Sequence, residues 1–367
     1  MKKIHSLCFI SSMLFLTGCE SIKVISIDYM QPAEVSFPNQ LRRVGIVNNT
    51  AKTPDNKMIV EAETPQEENM EIRRGVAYAN GDSRIATESL AQEIAHRNYF
   101  DKVVVCDSAL RSNDRFLRES TLSEEEVKAL TSDLDVDCII ALENLQIKAV
   151  KTVSFLPQYG FLGTVSVKAY PTVSVYLPGR KAPMVTLTSN DSIFWEDIRG
   201  SETKAKQFIP DSQIIEETSE FAGTIPVNRL IPFWEKADRY IYAGGSAQMR
   251  EAAIQVKENN WDKACELWKK MYNKTTSNKK KMQNAINIAV YYELKDSLDL
   301  AEEWMTKAQD MAKRIDKINT ETTNKLYFNI EKVPHYYQTT VYLFKLKERN
   351  RQLPKLKMQM SRFNDDF

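Results

Sequence analysis

Histidine is scarce in this chain, with three residues in 367. One of them, His5, falls in an N-terminal segment that reads as a removable leader, which leaves His96 and His335. No Cys or His pair has zinc-ligand spacing, so the residues suggest no metal site. Neither sign of charge dominates: the net charge is +1. Global electrostatics therefore supply no pull toward nucleic acid or an anionic surface. The chain has no Gly-x-Ser-x-Gly elbow, no Walker loop and no Gly-x-Gly-x-x-Gly fingerprint, which removes the sequence support for those hydrolase, nucleotide and dinucleotide chemistries. Asp133, Asp135 and Asp137 superficially resemble the start of a calcium loop. Cys138 stands where that loop needs Gly and Asn144 where it needs Glu, so a solvated turn between helix and strand is the better reading. His96, beside Arg97 near a helix C-terminus, reads as a favourable contact with the helix dipole. These residues suggest no catalytic constellation and no cofactor.

Long apolar runs are also missing. Beyond the first residues, no stretch reaches the length of about 20 apolar residues that a membrane-spanning helix needs. The run at the start is shorter: Lys2 and Lys3, then a largely apolar Ile4 to Leu16, then Leu16-Thr17-Gly18-Cys19. Charge followed by a short apolar core is the pattern of a secretory signal. Leu16-Thr17-Gly18-Cys19 resembles the lipobox of bacterial lipoproteins. That resemblance implies cleavage before Cys19, a diacylglycerol thioether on its sulfur and acylation of the new amine. Glu20 follows, not the Asp that resembles an inner-membrane retention signal, so the expected address is the outer membrane, facing the periplasm. Of five cysteines, Cys8 leaves with the leader and Cys19 carries lipid. Cys106, Cys138 and Cys265 remain, an odd number, so a complete disulfide framework is excluded. Buried free thiols are the expectation, with a Cys106–Cys138 bridge the alternative.

The hydrophobic fraction of 43% is globular. We expect a signal at 1–18, a tether at 19–38 with a possible edge strand from Lys23 to Asp28, and a mixed α/β domain at 39–230. A helical domain at 231–350 and a basic tail at 351–367 complete the chain. Val44 to Val47, Val103 to Cys106 and Cys138 to Ile147 read as buried strands. They alternate with helices from about Asp82 and from Ser123, where Ser123 and Glu126 form a capping box. Ala51 to Glu71 reads as a polar loop. Val165 to Tyr176 and Met184 to Ser192 read as a hairpin closed at Pro178-Gly179-Arg180, with Trp195 on a sheet face. The first domain is therefore a mixed sheet with crossover helices and a long β-hairpin.

Beyond Gly244-Gly245 the chain reads as helical. Gly244-Gly245-Ser246 itself reads as a hinge and N-cap, an anion nest being the rarer alternative. Ala252, Ala264 and Trp268 make one unit. Ala289, Tyr292, Ala301 and Ala308 make a second, with Ala placed so that paired helices approach closely. This resembles the tetratricopeptide repeat, although Met271 replaces one small residue and the spacing from Ala264 to Ala301 slightly exceeds the usual period of about 34 residues. A degenerate third pair is expected over 320–347. Tyr327, Phe328, Tyr336, Tyr337, Tyr342 and Phe344 read as packing core more readily than as a ligand groove. The whole order is similar to an uncharacterised outer-membrane lipoprotein family with a mixed α/β domain and tetratricopeptide-like C-terminal repeats. The expected function is a non-enzymatic, lipid-anchored envelope protein whose repeats present a surface to a protein partner, with no nucleic acid bound. A glycan- or peptidoglycan-acting enzyme and a passive structural lipoprotein are the alternatives.

Overall fold

The computed structural model describes residues 21–51, 59–61, 72–106, 108–111, 121–318 and 334–366. In chain order the first elements are β1 (Ile22–Gln31), β2 (Arg43–Asn48), β3 (Ile59–Glu61), β4 (Ile72–Asn80), α1 (Ser83–His96), β5 (Lys102–Val105) and α2 (Glu124–Asp133). Next come the long strands β6 (Cys138–Leu156) and β7 (Gly160–Tyr176), then β8 (Val185–Thr188), β9 (Asp191–Arg199), α3 (Glu202–Lys206), α4 (Asp211–Thr224), α5 (Val227–Leu230) and β10 (Phe233–Tyr242). The rest is helical: α6 (Ala247–Lys257), α7 (Trp261–Lys274), α8 (Asn278–Leu294), α9 (Leu298–Ile315) and α10 (His335–Met360), closed by a 3-10 turn. These elements form two compact units, Met30–Phe233 with Lys355–Phe367, and Met1–Tyr29 with Trp234–Pro354.

The α/β unit is built on an eight-stranded mixed sheet. β2 lies parallel to both β5 and β6, with Val44 opposite Val103 on one side and Cys138 on the other. Strands of this kind are buried on both faces, which explains their unbroken Val/Ile runs. Alternate residues serve opposite faces. Val44, Ile46, Cys138 and Ile140 join Ala86, Leu90 and Ile94 of α1 in one apolar cluster. Val47, Ile139 and Ala141 join Val127 of α2 in another. Asp82 caps α1 by accepting from the backbone N–H groups of Arg84 and Ile85, and His96 lies in its last turn. The expected box at α2 forms in full, Ser123 and Glu126 each accepting from the other's backbone N–H. Gly223 lets α4 lie against α1: a Cβ there would sit 2.4 Å from the carbonyl oxygen of Ala86.

Several boundaries differ from the sequence reading. β4 pairs antiparallel with the second half of β6, from Ile72 opposite Ser154 to Asn80 opposite Gln146. Its Arg and Gly content concealed it, because a strand with one polar face lacks an apolar run. The expected hairpin is a larger ribbon. β7 pairs along its length with β6 on one edge and with β8 and then β9 on the other. Most of the polar loop expected over Ala51 to Glu71 lies outside the described residues. The described cysteines, Cys106, Cys138 and Cys265, are free thiols. Asp135 and Asp137 hold Arg43 instead of facing only solvent. Both carboxylates accept from its guanidinium, and Asp137 also accepts from the backbone N–H groups of Arg42 and Arg43.

Two corrections concern the ends of the chain. Residues 22–31 are not a tether: they form β1, which pairs with β10 in a two-stranded sheet. Ile27 of β1 belongs to the core of the helical unit. That unit, and not the α/β unit, therefore takes up the chain first after Cys19. The region 351–367 is not a solvated basic tail either. Its buried Gln359 exchanges hydrogen bonds with the backbone of Ala33 and donates to the carbonyl of Val35. Arg362 is buried too. It donates to the carbonyls of Tyr99, Pro38 and Leu41 and lies over the Tyr99 ring. A guanidinium with several fixed donors can satisfy turn carbonyls that a hydrophobic residue would strand.

In the helical unit, Ala252 of α6, Ala264 and Trp268 of α7, Ala289 of α8, and Ala301 and Ala308 of α9 are fully buried. Small side chains at helix contacts shorten the interaxial distance, and α8 and α9 make extensive contact. Tyr292 is half-buried, its hydroxyl accepting from the Lys269 ammonium at 2.7 Å. Residues 319–333, where the first helix of a third pair was expected, lie outside the described residues.

Candidate functional site

The helical unit presents three features to which local sequence and packing both contribute. The first is a buried ionic knot. Glu293 sits near the C-terminal end of α8, after an apolar run that carries it into the core, and it is fully buried. Both its carboxylate oxygens accept from the Arg239 guanidinium of β10 at 2.8 Å. Arg349 of α10 donates to it at 3.3 Å, and the buried hydroxyl of Tyr342 donates as well. Arg239 is half of a bidentate pair, the strongest geometry available to a guanidinium. Burial alone would lower its pKa, but the Glu293 carboxylate overcomes that and raises it. Burial, and then the Glu293 charge, push the Tyr342 phenol well above its ordinary value. This knot joins β10, α8 and α10 and fixes where α10 lies.

The second feature is the outer side of α10. Tyr342, Leu343 and Leu346 face the core and are buried. On the opposite side, Tyr337, Val341 and Phe344 are 48%, 37% and 65% exposed. Three or four residues apart, they form one stripe along the helix. The aromatic group singled out in the sequence thus divides. Tyr342 is core, Tyr336 is half-buried, Tyr337 and Phe344 are exposed, and Tyr327 and Phe328 lie outside the described residues.

The third is a concavity of about 850 Å³ between the Gly244-Gly245-Ser246 turn and helices α6, α7 and α8. Ser246 caps α6 by accepting from the Met249 N–H, and Gly245 takes a positive φ of 92°. Lys270, Lys274, Lys279 and Lys280 line the concavity, against one carboxylate, Glu251. Sequence reasoning did not find this group. A usable signal was present: Asn278-Lys279-Lys280-Lys281 opens α8 with no acidic residue in its first turn, the wrong charge for the positive end of a helix dipole.

The α/β unit holds a smaller polar pocket of about 310 Å³ at the C-terminal end of β2, lined by Thr50, Asn80, Ser83, Glu143 and Asn144 among others. Glu143 is buried and accepts from the Tyr176 hydroxyl and from the Asn49 amide, both at 2.6 Å. Burial raises its pKa, although the bonds from Tyr176 and Asn49 work the other way. No second carboxylate lines its pocket. Acid-base pairs of the glycosidase kind use two.

This arrangement predicts a pH dependence. A raised native pKa means that the folded state binds the proton more tightly than the unfolded chain does. The resulting stability is present below about pH 4 and is lost as pH rises through the native value. Glu143→Gln is expected to flatten that decline. The check is urea midpoints for both proteins across acidic to neutral pH; parallel curves would show that Glu143 titrates normally.

Among the described residues, no group of three or more His, Cys, Asp or Glu is placed to hold a metal, and no helix is long and apolar enough to cross a membrane. Of the residues expected to act, Leu16, Thr17, Gly18 and Cys19 lie outside the described residues. Residues 250–348, within the helical unit, match a domain of unknown function, DUF6340. No curated protein and no solved structure matches the chain. A second match extends over more than half of the chain, from Leu41 through the sheet, the Glu143 pocket and β10. By that match, over residues 41–242, the chain belongs to the family described as a domain of unknown function, DUF8603.

Proposed function

We propose that this chain is a lipid-anchored cell-envelope protein with a binding or scaffolding role. Cys19 holds it in the outer membrane, facing the periplasm, and its tetratricopeptide-like helices carry the surface that a protein partner recognises. The exposed stripe Tyr337, Val341 and Phe344 carries this reading. Val341 and Phe344, with Tyr337 one turn before them, leave apolar surface in solvent on a helix whose inner side is already committed to a core. Contiguous exposed apolar surface marks interaction sites. Aromatic anchors of this kind supply much of the affinity at interfaces, about 2 kcal/mol or more each at a hot spot. The Glu293 knot holds α10 in place, so the stripe is pre-organised and little ordering cost falls on binding.

The test is recovery of partners from detergent-solubilised envelopes with the wild type and with Val341→Ser/Phe344→Ser. Both substitutions lie on the solvent side, so circular dichroism and melting should be unchanged. A protein captured by the wild type is expected to be lost from the variant. Equal capture by the two, or capture of nothing specific by either, would count against the reading.

A further inference from the structure

The lysine-lined concavity has three properties that point to one kind of occupant. First, its charge is unbalanced. Lys270, Lys274 and Lys280 have no ion-pair partner among the described residues, and the lining carries one carboxylate, Glu251. Two of the lining lysines, Lys279 and Lys280, open α8, whose N-cap Ser277 makes no side-chain capping bond. Cations at the positive end of a helix dipole repel it, and an anion at that end relieves both.

Second, the lining contains an unpartnered buried acceptor. Asn284, 2% exposed, donates its amide to the carbonyl of Lys280 at 2.7 Å. Its Oδ1 is buried with no hydrogen-bond partner among the described residues. Buried polar atoms are nearly always satisfied, so a ligand that fits here brings a donor such as a hydroxyl as well as a negative charge. A simple carboxylate does not supply both.

Third, the concavity lies beside the lipidated end of the chain. The backbone N–H of Ala243 donates to the carbonyl of Ser21 at 2.8 Å, and the next residue, Gly244, lines the concavity. Cys19 precedes Ser21 by two residues, a reach of about 7 Å at most. On β1, which begins at the next residue, Ile22 and Val24 are exposed apolar residues, as suits a segment next to acyl chains.

We infer that this concavity is a socket for the headgroup of an anionic phospholipid in the membrane that Cys19 anchors to, of the phosphatidylglycerol kind. The phosphodiester meets Lys270, Lys274 and Lys280, and a headgroup hydroxyl meets Asn284 Oδ1. Its volume suits a small polar ligand. The inference rests on the anchored reading above, and it adds a specific lipid contact to a lipid tether.

The experiment removes the tether so that only the socket reports. The mature chain, residues 19–367 with Cys19→Ser, is sedimented with vesicles of phosphatidylcholine alone or mixed with phosphatidylglycerol. Binding is expected with phosphatidylglycerol only. Lys270→Gln/Lys274→Gln/Lys280→Gln, all on exposed side chains, should lower it roughly tenfold or more, since each basic residue near an anionic surface contributes measurably. Asn284→Ala should lower phosphatidylglycerol binding several-fold without changing the salt dependence that the lysines set. Because Asn284 is buried, its melting curve is recorded alongside, and the surface lysine variant keeps the test decisive if Asn284→Ala unfolds. Vesicle binding indifferent to the lysines would overturn the inference. So would displacement by inorganic phosphate as effective as by vesicles, or binding of a polyglutamate peptide in place of vesicles. Failure of the anchored reading shows separately, as wild-type protein from envelopes lacking acyl mass on Cys19.

Discussion

Glu293→Ala is expected to destabilise the helical unit by about 3–5 kcal/mol, the usual cost of removing one partner from a buried charged pair. The loss is not mainly that of an attraction. Arg239, itself buried, would keep its charge with no carboxylate to meet it, and Arg349 and Tyr342 would lose an acceptor. The double variant Arg239→Met/Glu293→Leu should recover much of the loss, because apolar residues of similar volume often replace a buried pair without penalty. Denaturant unfolding followed by tryptophan fluorescence is the measurement. Four of the five tryptophans, Trp234, Trp261, Trp268 and Trp304, belong to the helical unit, so the signal reports on it with little contribution from the sheet. Two units need not unfold together, and a single transition should not be assumed. A loss below about 1 kcal/mol, the range of solvent-exposed pairs, would mean that water reaches the knot.

The second large effect concerns Cys19. The wild-type protein purified from envelopes is expected to begin at Cys19 and to carry acyl mass there. Cys19→Ala should abolish both the acyl mass and the cleavage before residue 19. Such an anchor would be strong: each buried methylene contributes about 0.8 kcal/mol, so two or more chains would make membrane residence effectively permanent. Intact-mass analysis of wild type and variant decides the matter. A wild-type mass that fits an unmodified cysteine, or a variant processed and retained as the wild type is, would refute lipidation. β1 adds a geometric consequence. Since Ile22 is already in a strand, the span from Cys19 to folded structure is about 11 Å at most, and an acylated chain would hold the helical unit close to the bilayer.

Much of the architecture was legible where one stretch of chain contains the whole signal. Ser123 and Glu126 announce α2 because both partners of the box lie within one turn. Ala86, Leu90 and Ile94 announce α1 by their period, and the Val/Ile runs announce β2 and the start of β6. The alanines of α6 to α9 mark close helix contacts because small residues at helical spacing have few other reasons to recur. The candidate site was less legible. Tyr337 and Phe344 were visible as aromatic content and Val341 was not singled out, and which rings faced outward depended on which side of α10 met the core. β1 and β4 were missed or shortened because each mixes polar and apolar residues, and their strand character comes from partners far away in the chain.

By itself, the sequence determined the starts of α1 and α2, the buried strand runs and the close alanine contacts of the helical unit. Each of these rests on covalent neighbours or on a period of a few residues, so no distant partner is required. Tertiary structure alone decided that β1 belongs to the helical unit, that Gln359 and Arg362 are buried pieces of the α/β unit, and that Glu293 meets Arg239. It also placed four lysines and the buried amide of Asn284 around one concavity beside Ser21. Such pairings depend on which elements lie side by side after the chain has folded back on itself. The free energy that selects them comes from burial and charge pairing between distant segments, which no local pattern records.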